Sequence, residues 1–413
     1  MSAWRRSLVA AGAALALAAC TGAPTNTGQS GTSSQVRIGL LAPLSGPRAA
    51  AGRDALRGAQ LAAELVNQPS SVPLPLAGGA GLPGLGGATV RIESGDSAGD
   101  PEIGPSQAVR LVAVQRVAGL VNVGDTQVTA VASERIERIG VPFVDSGAPA
   151  NYLTERGLDW FFRTGPSDRL LGERLLSMLQ QSGSGGARKL AIVHSHDAAG
   201  SDMAGALESL AGEGGYDVLT DVALPGDASG APSLVGQLRD AAPDAVIAVA
   251  AQPADSAALL KGFKTVGWRP PVTMAMGAGF APQAVLAAIS DDSAAVLRST
   301  AWSTELADRS PVARQVAALY QRRFGVAMNE TAAKSFSATL VLAQAIDVAG
   351  STDAGRVRAA LLALDVSGRD TIMPWDGVRF DQAGQNTRAA AVVERVAKDG
   401  VQVVFPPELA ARA

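Results

Sequence analysis

The stretch that decides the fold is Val36–Asn67, which reads VRIGLLAPLSGPRAAAGRDALRGAQLAAELVN. Its first seven residues alternate and then become continuously apolar, which predicts a buried β-strand. The segment Pro43–Pro47 can neither continue a strand nor start a helix smoothly, so it predicts a turn. Apolar residues then recur at helical spacing, at Ala55, Ala59, Ala62 and Val66. A strand, a tight loop and a helix form the first half of a βαβ unit, and ligands of open α/β sheets collect beside such loops.

The alternation of strands and helices continues in two series, one ending near Thr164 and one ending near Met276. Two series of about 130 residues each predict two parallel sheets rather than one. The last third instead predicts long helices, and then an antiparallel hairpin formed by Val378–Phe380 and Ala389–Val396 around a turn at Gly384. The Pro- and Gly-rich insert Ser70–Gly87 predicts a mobile surface loop, because it lacks the flanking elements of a phosphate-binding loop.

The amino end has the pattern of a secretory signal. Arg5 and Arg6 precede an apolar run that is too short to span a membrane, and small residues follow it. Leu17–Cys20 resembles the bacterial lipobox, in which the cysteine becomes the lipidated first residue of the mature chain. We therefore expect a lipoprotein signal peptide over residues 1–19 and a flexible tether over residues 20–35. The alternative is an ordinary signal peptide with a chance cysteine.

Composition limits the partners and the cross-links. The chain has 413 residues, of which 47% are hydrophobic and 18% are charged, so a large core is possible. The formal net charge of -3 argues against a nucleic acid or an anionic membrane surface as a partner. Cys20 is the single cysteine, which excludes an intramolecular disulfide.

Four local patterns, in their order and spacing, carry a resemblance to a known family. They are Val36–Pro47 with Gly52; Ile139–Phe143 followed by Leu153–Gly157 and Phe161–Thr164; Pro243–Ile247 with Gly267-Trp268; and Trp375–Asp381 with Gly384–Asn386. The chain resembles, over Val36–Pro407, the type I periplasmic solute-binding proteins of the leucine/isoleucine/valine-binding family, which are the extracellular receptors of ABC importers.

The resemblance implies an α/β fold with two Rossmann-like lobes, each with a parallel sheet, joined by a three-strand hinge. The crossovers would lie near Thr164, Thr300 and Trp375. The first lobe would comprise residues 36–164 and 300–374, and the second would comprise residues 165–299 and 375–413. One small solute would bind in the cleft by hinge closure, and ABC permease subunits would be the partners. The resemblance implies neither a cofactor nor an enzymatic activity.

The resemblance also implies ligand contacts in the first lobe. They would come from the loop with Ser45 and Gly46, from Asp125 and Thr126 at the amino end of a helix, and from the loop Ser146, Gly147 and Ala148. A helix amino end offers free N–H donors and a partial positive charge to a carboxylate. An ionised Asp125 would repel such a ligand, unless its side chain turns away to cap its own helix or pairs with a cationic or amide group.

In the second lobe the resemblance implies contacts from Gln252 and from the segment at Gly277, where amine-binding members carry an acid. This chain has no acid there, and a buried ammonium without a carboxylate partner is costly. The sequence departs from the leucine-type pattern at four positions: Ala51, Asp125, Pro149 and Gly277. A branched-chain amino acid is therefore not the ligand we expect; an amino-acid-like solute, an amide or a small carboxylate is.

Both histidines lie in the segment His194–Asp197, which follows a predicted strand. Alternating spacing turns their side chains apart and no distant Cys or His completes a set, so we expect a loop at the cleft rim and no metal site. No Gly-x-Ser-x-Gly motif is present for a serine hydrolase.

Two functions follow from these patterns. The first is a lipid-anchored solute receptor, in the periplasm or on the cell surface, that delivers a small polar molecule to an ABC permease. The alternative is a non-transport regulatory lipoprotein with the same fold, such as an activator of the penicillin-binding proteins that synthesise the cell wall, because fold does not fix function.

Overall fold

The computed structural model describes residues 34–181, 187–289 and 295–410 of the chain. Cys20, the predicted signal peptide and all but the last two residues of the predicted tether lie outside the described residues. Within the described part of the chain, no helix is both long enough and apolar enough to cross a membrane.

The first sheet contains the first five strands of the chain, all parallel, in the order β2-β1-β3-β4-β5. These strands are β1 (Gln35–Ala42), β2 (Thr89–Asp96), β3 (Leu120–Asn122), β4 (Phe143–Asp145) and β5 (Phe161–Arg163). Ile38, Leu40 and Leu41 of β1 are fully buried, as expected of a parallel sheet that is covered on both faces. The strand predicted from Val36 onward is confirmed.

The strands that follow form a second and larger sheet and one small ladder. They are β6 (Lys189–His194), β7 (Asp217–Ala223), β8 (Ala245–Val249), β9 (Val272–Met276), β10 (Ala295–Thr300), β11 (Val366–Ser367), β12 (Gly377–Val378), β13 (Val392–Ala397) and β14 (Gly400–Phe405). The second sheet has the order β14-β13-β10-β9-β8-β6-β7. It is mixed, because β13 pairs antiparallel with both β10 and β14, whereas the other neighbours are parallel.

The hairpin predicted between Val378–Phe380 and Ala389–Val396 is wrong in its second arm, because Phe380 pairs antiparallel with Asn386 and not with a residue of Ala389–Val396. Strand β12 pairs instead with β11, and β13 joins the second sheet beside β10. Val392, Val393 and Val396 are almost completely buried, so this strand needs a sheet covered on both faces, which a two-stranded hairpin does not offer. The turn itself forms: the N–H of Gly384 donates to the carbonyl of Asp381 at 3.0 Å.

Helices cover both faces of each sheet. They are α1 (Ala49–Asn67), α2 (Ile103–Ala113), α3 (Thr126–Glu137), α4 (Asp168–Gln181), α5 (Ala198–Glu213), α6 (Ala231–Ala241), α7 (Pro253–Val266), α8 (Pro282–Ala288), α9 (Thr304–Arg309), α10 (Pro311–Phe324), α11 (Glu330–Ala349) and α12 (Ala354–Ala363). In the first lobe, α1 and α11 pack on one face of the sheet, and α2 and α3 on the other. In the second lobe, α4 and α5 cover one face, and α6, α7 and α8 the other.

The insert Ser70–Gly87 is not a surface loop throughout. Val72, Leu74 and Leu82 are at most 6% exposed and belong to the core of the first lobe. The N–H of Gly84 also donates to the Asp347 carboxylate at 2.7 Å, near the end of α11. The apolar residues between the glycines dock this segment onto the lobe, so the prediction of a surface loop is wrong for them.

The chain passes between the lobes after β5, after β10 and before β13. The structure places Trp375, Val378 and Phe380 in the core of the first lobe, so the chain enters the second sheet only at β13. The limits of the two lobes along the sequence stay a prediction.

A hydrogen-bonded clasp joins the first and third passages of the chain. The N–H of Arg163 donates to the carbonyl of Gly384 at 2.7 Å, and the N–H of Asn386 donates to the carbonyl of Arg163 at 2.9 Å. The buried Asn386 amide donates in addition to the carbonyl of Thr164 at 3.0 Å. The end of β5 and the segment before β13 are therefore fixed to each other.

Helix α1 approaches α11 so closely that only glycine fits at one position. A Cβ on Gly58 would lie 2.2 Å from the carbonyl oxygen of Ala332, which is backbone and cannot rotate away.

We expect Gly58→Ala to lower the free energy of unfolding by about 1–3 kcal/mol, the usual cost of overpacking, as measured by urea unfolding. Gly205→Ala in α5 is the matched control. Nothing lies within 4 Å of its Cβ, so the substitution should raise stability by about 0.5–1 kcal/mol. Equal stability of both variants would contradict the close packing of α1 on α11.

Candidate ligand-binding cleft

A cavity of about 160 Å³ lies between the two lobes, at the carboxyl ends of both sheets. Its wall in the first lobe includes residues that follow β1, β3 and β4, namely Pro43, Asp125, Thr126, Gly147 and Pro149. Its wall in the second lobe includes residues that follow β6, β8 and β9, namely Ser195, Ala251, Gly277 and Ala278. Ligands of open α/β sheets bind at the carboxyl ends of the strands, and here two such edges face one cavity.

The Asp125 carboxylate has two partners within the first lobe. Its Oδ1 accepts a hydrogen bond from the N–H of Val128 at 3.0 Å, so Asp125 is the N-cap of α3. Its Oδ2 lies 3.2 Å from Nη1 of Arg48, which also lines the cavity. Of the alternatives stated for the Asp125 side chain, the structure shows the one in which it caps its own helix. The Arg48 guanidinium in addition offsets the negative charge of Asp125. Thr126, buried at the first turn of α3, faces the same cavity.

Of the loop after β4, Gly147 lines the cavity, while Ser146 and Ala148 make contacts within the lobe. The Ser146 hydroxyl donates to the carbonyl of Asn122 at 3.3 Å, and the N–H of Ala148 donates to the Asp145 carboxylate at 3.0 Å. Burial raises the pKa of Asp145 to about 6, although hydrogen bonds from Asn122 and Ala148 act in the opposite direction. The loop therefore offers the cavity its backbone rather than a hydroxyl.

The structure places three other predicted contacts outside the cavity wall. Ser45 and Gly46 are exposed, and the N–H of Ser45 donates to the Asp96 carboxylate at 3.1 Å, which leaves Pro43 and Arg48 as the residues of this loop that face the cavity. Gln252 is the N-cap residue of α7, and the neighbouring Ala251 takes its place in the wall.

Gly277 does line the cavity. It has a φ of 93°, and an added Cβ would lie 2.3 Å from the carbonyl oxygen of Ala250. The chain can turn here only with glycine, and the backbone rather than a side chain forms this part of the wall.

A buried charge cluster at the base of the cavity was not predicted. Arg298 of β10 is 4% exposed and pairs with two carboxylates, with Glu394 at 2.5 Å and with Glu330. Glu330 begins α11, accepts a hydrogen bond from the N–H of Ala301 at 3.1 Å, and lies 3.9 Å from the ammonium of Lys334. The cluster connects the second sheet with a helix of the first lobe.

The electrostatic effect of the cluster differs between its two acids. Burial acts to raise the pKa of Glu330, but the charges of Arg298 and Lys334 outweigh it and lower that pKa to about 2. Burial raises the pKa of Glu394 despite the hydrogen bond from Arg298. In the sequence, the available signal was an arginine inside the apolar strand Ala295–Thr300, but that strand was not recognised.

The two walls of the cavity differ in polarity. The first lobe supplies the charged side chains Arg48, Asp125, Glu330 and Lys334. Apart from Ser195, Ser299 and Arg298, the second-lobe side chains that face the cavity are apolar, and they include Leu171, Met203, Val249 and Ala251. A guest with one polar end and one apolar end would match both walls.

The His194–Asp197 segment begins at the end of β6 and places Ser195 in the cavity wall, as predicted for a loop at the cleft rim. His194 Nε2 lies 3.7 Å from the Asp221 carboxylate. Over residues 34–181, 187–289 and 295–410, no group of three or more His, Cys, Asp or Glu side chains is arranged to hold a metal ion.

Two doubly wound lobes that share one cavity define a class of protein, namely the two-lobed binding proteins that enclose a small ligand between domains. A sequence model described as periplasmic binding protein matches residues 35–407. The chain therefore belongs to the periplasmic binding protein family, and the resemblance stated from its sequence is confirmed. Members of this family are solute-binding proteins rather than enzymes, and family membership implies a periplasmic location.

Individual relatives agree with this assignment. The chain is 27% identical to a Leu/Ile/Val-binding protein homolog 7 from Brucella abortus, over 96% of this chain and 97% of that protein. The leucine-binding protein LivK from Thermotoga maritima matches 90% of this chain and 99% of its own with a TM-score of 0.73, at 18% identity. LivJ from Streptococcus pneumoniae, solved in complex with isoleucine, matches 90% of this chain and 100% of its own with a TM-score of 0.70, at 18% identity. At such identities the two structures show the fold alone.

Asp168, at the start of α4 where the chain has just left the first lobe, gives the protein a specific pH dependence. It is 2% exposed, its Oδ1 has no hydrogen-bond partner among the described residues, and burial raises its pKa to about 7, against the opposing charge of Arg163. Because the folded protein holds this proton more tightly than the unfolded chain, the contribution of Asp168 to stability falls as the pH rises from about 4 to about 7.

We expect Asp168→Asn to remove this loss. Relative to the wild type, the variant should gain about 2–3 kcal/mol of free energy of unfolding between pH 5 and pH 8, because about two pKa units of the shift lie within this interval, at about 1.4 kcal/mol per unit. The measurement is urea unfolding at both pH values. Asp244→Asn is the control without a pH effect in this range. Backbone N–H groups of Lys189 and Arg188 lower the pKa of Asp244, so its carboxylate is ionised at pH 5 and at pH 8 in both the folded and the unfolded chain, and its loss should change stability equally at both pH values. A stability difference for Asp168→Asn that does not change with pH would contradict the assignment.

Proposed function

We propose that this protein is an extracytoplasmic solute-binding lipoprotein of an ABC importer. The carrying observation is the cavity between the lobes, which draws its wall from the carboxyl ends of both sheets. The ligand would be a small polar solute, amino-acid-like, an amide or a small carboxylate. It would be enclosed by closure of the lobes and passed to the permease subunits.

The amino end supports anchoring to the membrane. In the lipobox-like segment Leu17–Cys20, the cysteine would carry the acyl chains, and the polar tether behind it would leave the lobes free to reach a permease. Each buried methylene of an acyl chain adds about 0.8 kcal/mol, so several chains hold the protein stably at the membrane.

The second candidate function is that of a regulatory lipoprotein, which has the same fold, takes no part in transport and acts on a penicillin-binding protein. One observation favours it. Both acids of the cavity wall, Asp125 and Glu330, are already paired with cations of the chain itself. The charges of this cleft are therefore compensated without a ligand. A pull-down from detergent-solubilised membranes separates the two functions: recovery of a cell-wall synthase without a permease supports regulation, and the reverse supports import.

Substitution of Cys20 tests the anchor. We expect Cys20→Ser to abolish acylation and to move the protein from the membrane fraction to the soluble fraction, measured by fractionation and by incorporation of a labelled fatty acid. The control Ser30→Ala, in the predicted tether, should leave both properties unchanged. Unaltered fatty-acid incorporation in Cys20→Ser would contradict the lipoprotein assignment.

A ligand screen tests binding. A ligand that binds only the folded protein should stabilise it by about 2.7 kcal/mol at about 100 times its dissociation constant, which thermal unfolding readily detects. The screen should include amino acids, amides, urea and small carboxylates. The receptor function predicts a rise in the unfolding temperature with at least one of these classes, and no response to any of them would argue strongly for the regulatory alternative.

A further inference from the structure

We propose that the ligand of this cleft is a small carboxylic acid with an apolar body and no ammonium group, and that Lys334 is the cation that receives its carboxylate. This inference rests on the proposed binding function and narrows its substrate class. It follows from the hydrogen-bonding capacity that the cavity still has after its own ion pairs are formed.

The acids in the cavity wall already have cations of the chain as their charge partners. Among the described residues, the carboxylates of the wall are those of Asp125 and Glu330. The two oxygens of Asp125 accept from the Val128 N–H and from Arg48. Those of Glu330 accept from the Ala301 N–H and from Arg298. An ammonium group would have to share these oxygens with Arg48 or Arg298 and would lie beside a like charge, which is unfavourable.

The cations of the cavity wall do have capacity left. The ammonium of Lys334 lies 3.9 Å from Glu330, which is beyond hydrogen-bond distance, and no residue in the described ranges accepts a hydrogen bond from it. The Nε of Arg298 is buried and lacks a hydrogen-bond partner among the described residues, on a side chain that lines the cavity. The Nε of Arg298 is out of reach of a ligand, whereas an oxygen atom of a ligand would supply the acceptor that the Lys334 ammonium lacks.

Lys334 is the cation of the described wall that is left without a hydrogen-bonded anion. Arg48 pairs with Asp125, and Arg298 pairs with both Glu330 and Glu394. The Lys334 ammonium lies 3.9 Å from Glu330 and is therefore the charge that a ligand carboxylate can engage. The amino end of α3 at Thr126 adds further positive potential on the same side.

The apolar second-lobe wall and the size of the cavity define the rest of the ligand. Met203, Leu171 and Val249 offer a surface without hydrogen-bonding groups, and Ala51 leaves space on the opposite side. The volume of about 160 Å³ is close to the roughly 150 Å³ that holds a benzene molecule in an engineered apolar cavity. The ligand is therefore about the size of a branched aliphatic acid or a simple aromatic acid.

The test uses ligands that share one hydrocarbon body. The full-length protein, purified from membranes in mild detergent, is titrated calorimetrically with 4-methylpentanoate, with L-leucine, which adds an ammonium group, and with 4-methylpentanamide, which lacks the charge. Benzoate serves as the aromatic acid. We expect at least one of the two acids to bind about tenfold or more tightly than L-leucine and the amide.

Variants of Lys334 test the assigned contact. Lys334→Met should weaken binding of the acid by about tenfold or more, and Lys334→Arg, which keeps the charge, should recover most of the affinity. Lys261→Met, on the exposed face of α7, is the control and should bind the acid as the wild type does. If Lys334→Met unfolds, Lys334→Gln, which removes the charge and keeps a polar side chain, takes its place.

Two results overturn the inference, and they differ in what else they affect. Tighter binding of L-leucine or of the amide than of both acids overturns the carboxylate assignment and leaves the receptor function intact. Absence of binding by all four compounds, together with a negative ligand screen, overturns the receptor function as well. Undiminished binding of the acid to Lys334→Met removes Lys334 from the site.

Discussion

A guanidinium group buried between two carboxylates holds the two halves of this molecule together. Arg298 lies on the strand β10 of the second sheet, Glu394 lies on the neighbouring strand β13, and Glu330 begins a helix of the first lobe. A charge removed from water is tolerated only if its partners are held in position, and loss of one partner is far more costly than loss of an exposed pair. The same atoms therefore set the relative position of the lobes and the electrostatics of the cavity between them.

The sequence predicted the parts of the fold that depend on short-range patterns. The alternation in Val36–Ala42 and the helical spacing after Gly52 are local, and both elements form where predicted. The partner of Val392–Ala397 was not predictable in this way, because its pairing with β10 joins residues about a hundred positions apart. The insert Ser70–Gly87 misled for a similar reason: its Pro and Gly content is local, whereas the burial of Leu82 depends on distant residues.

The residues of the site also differ in whether local sequence patterns could identify them. Asp125 and Thr126 were predicted from the resemblance to the family, which rests on local patterns, and both residues lie in the cavity wall. Arg48, which offsets the charge of Asp125, is 77 positions away in the sequence. Glu330 is 32 positions from Arg298, and nothing in either segment alone indicates the pair. Of the predicted contacts, Ser45 and Gln252 follow strands that end at the cavity, but neither residue is part of its wall.

The clasp around Asn386 has a mechanical consequence. The clasp fixes Arg163 and Thr164 to the segment before β13, and the next residues along the chain are also tied: Gln385 donates to the carbonyl of Gly165, and the N–H of Asp168 donates to that of Pro149. The first and third passages of the chain between the lobes are therefore hydrogen-bonded to each other and should move together. A coupled hinge of this kind restricts how far the lobes of the ligand-free protein can separate. Less conformational entropy is then lost when a ligand binds, so a larger part of the interaction free energy contributes to the affinity.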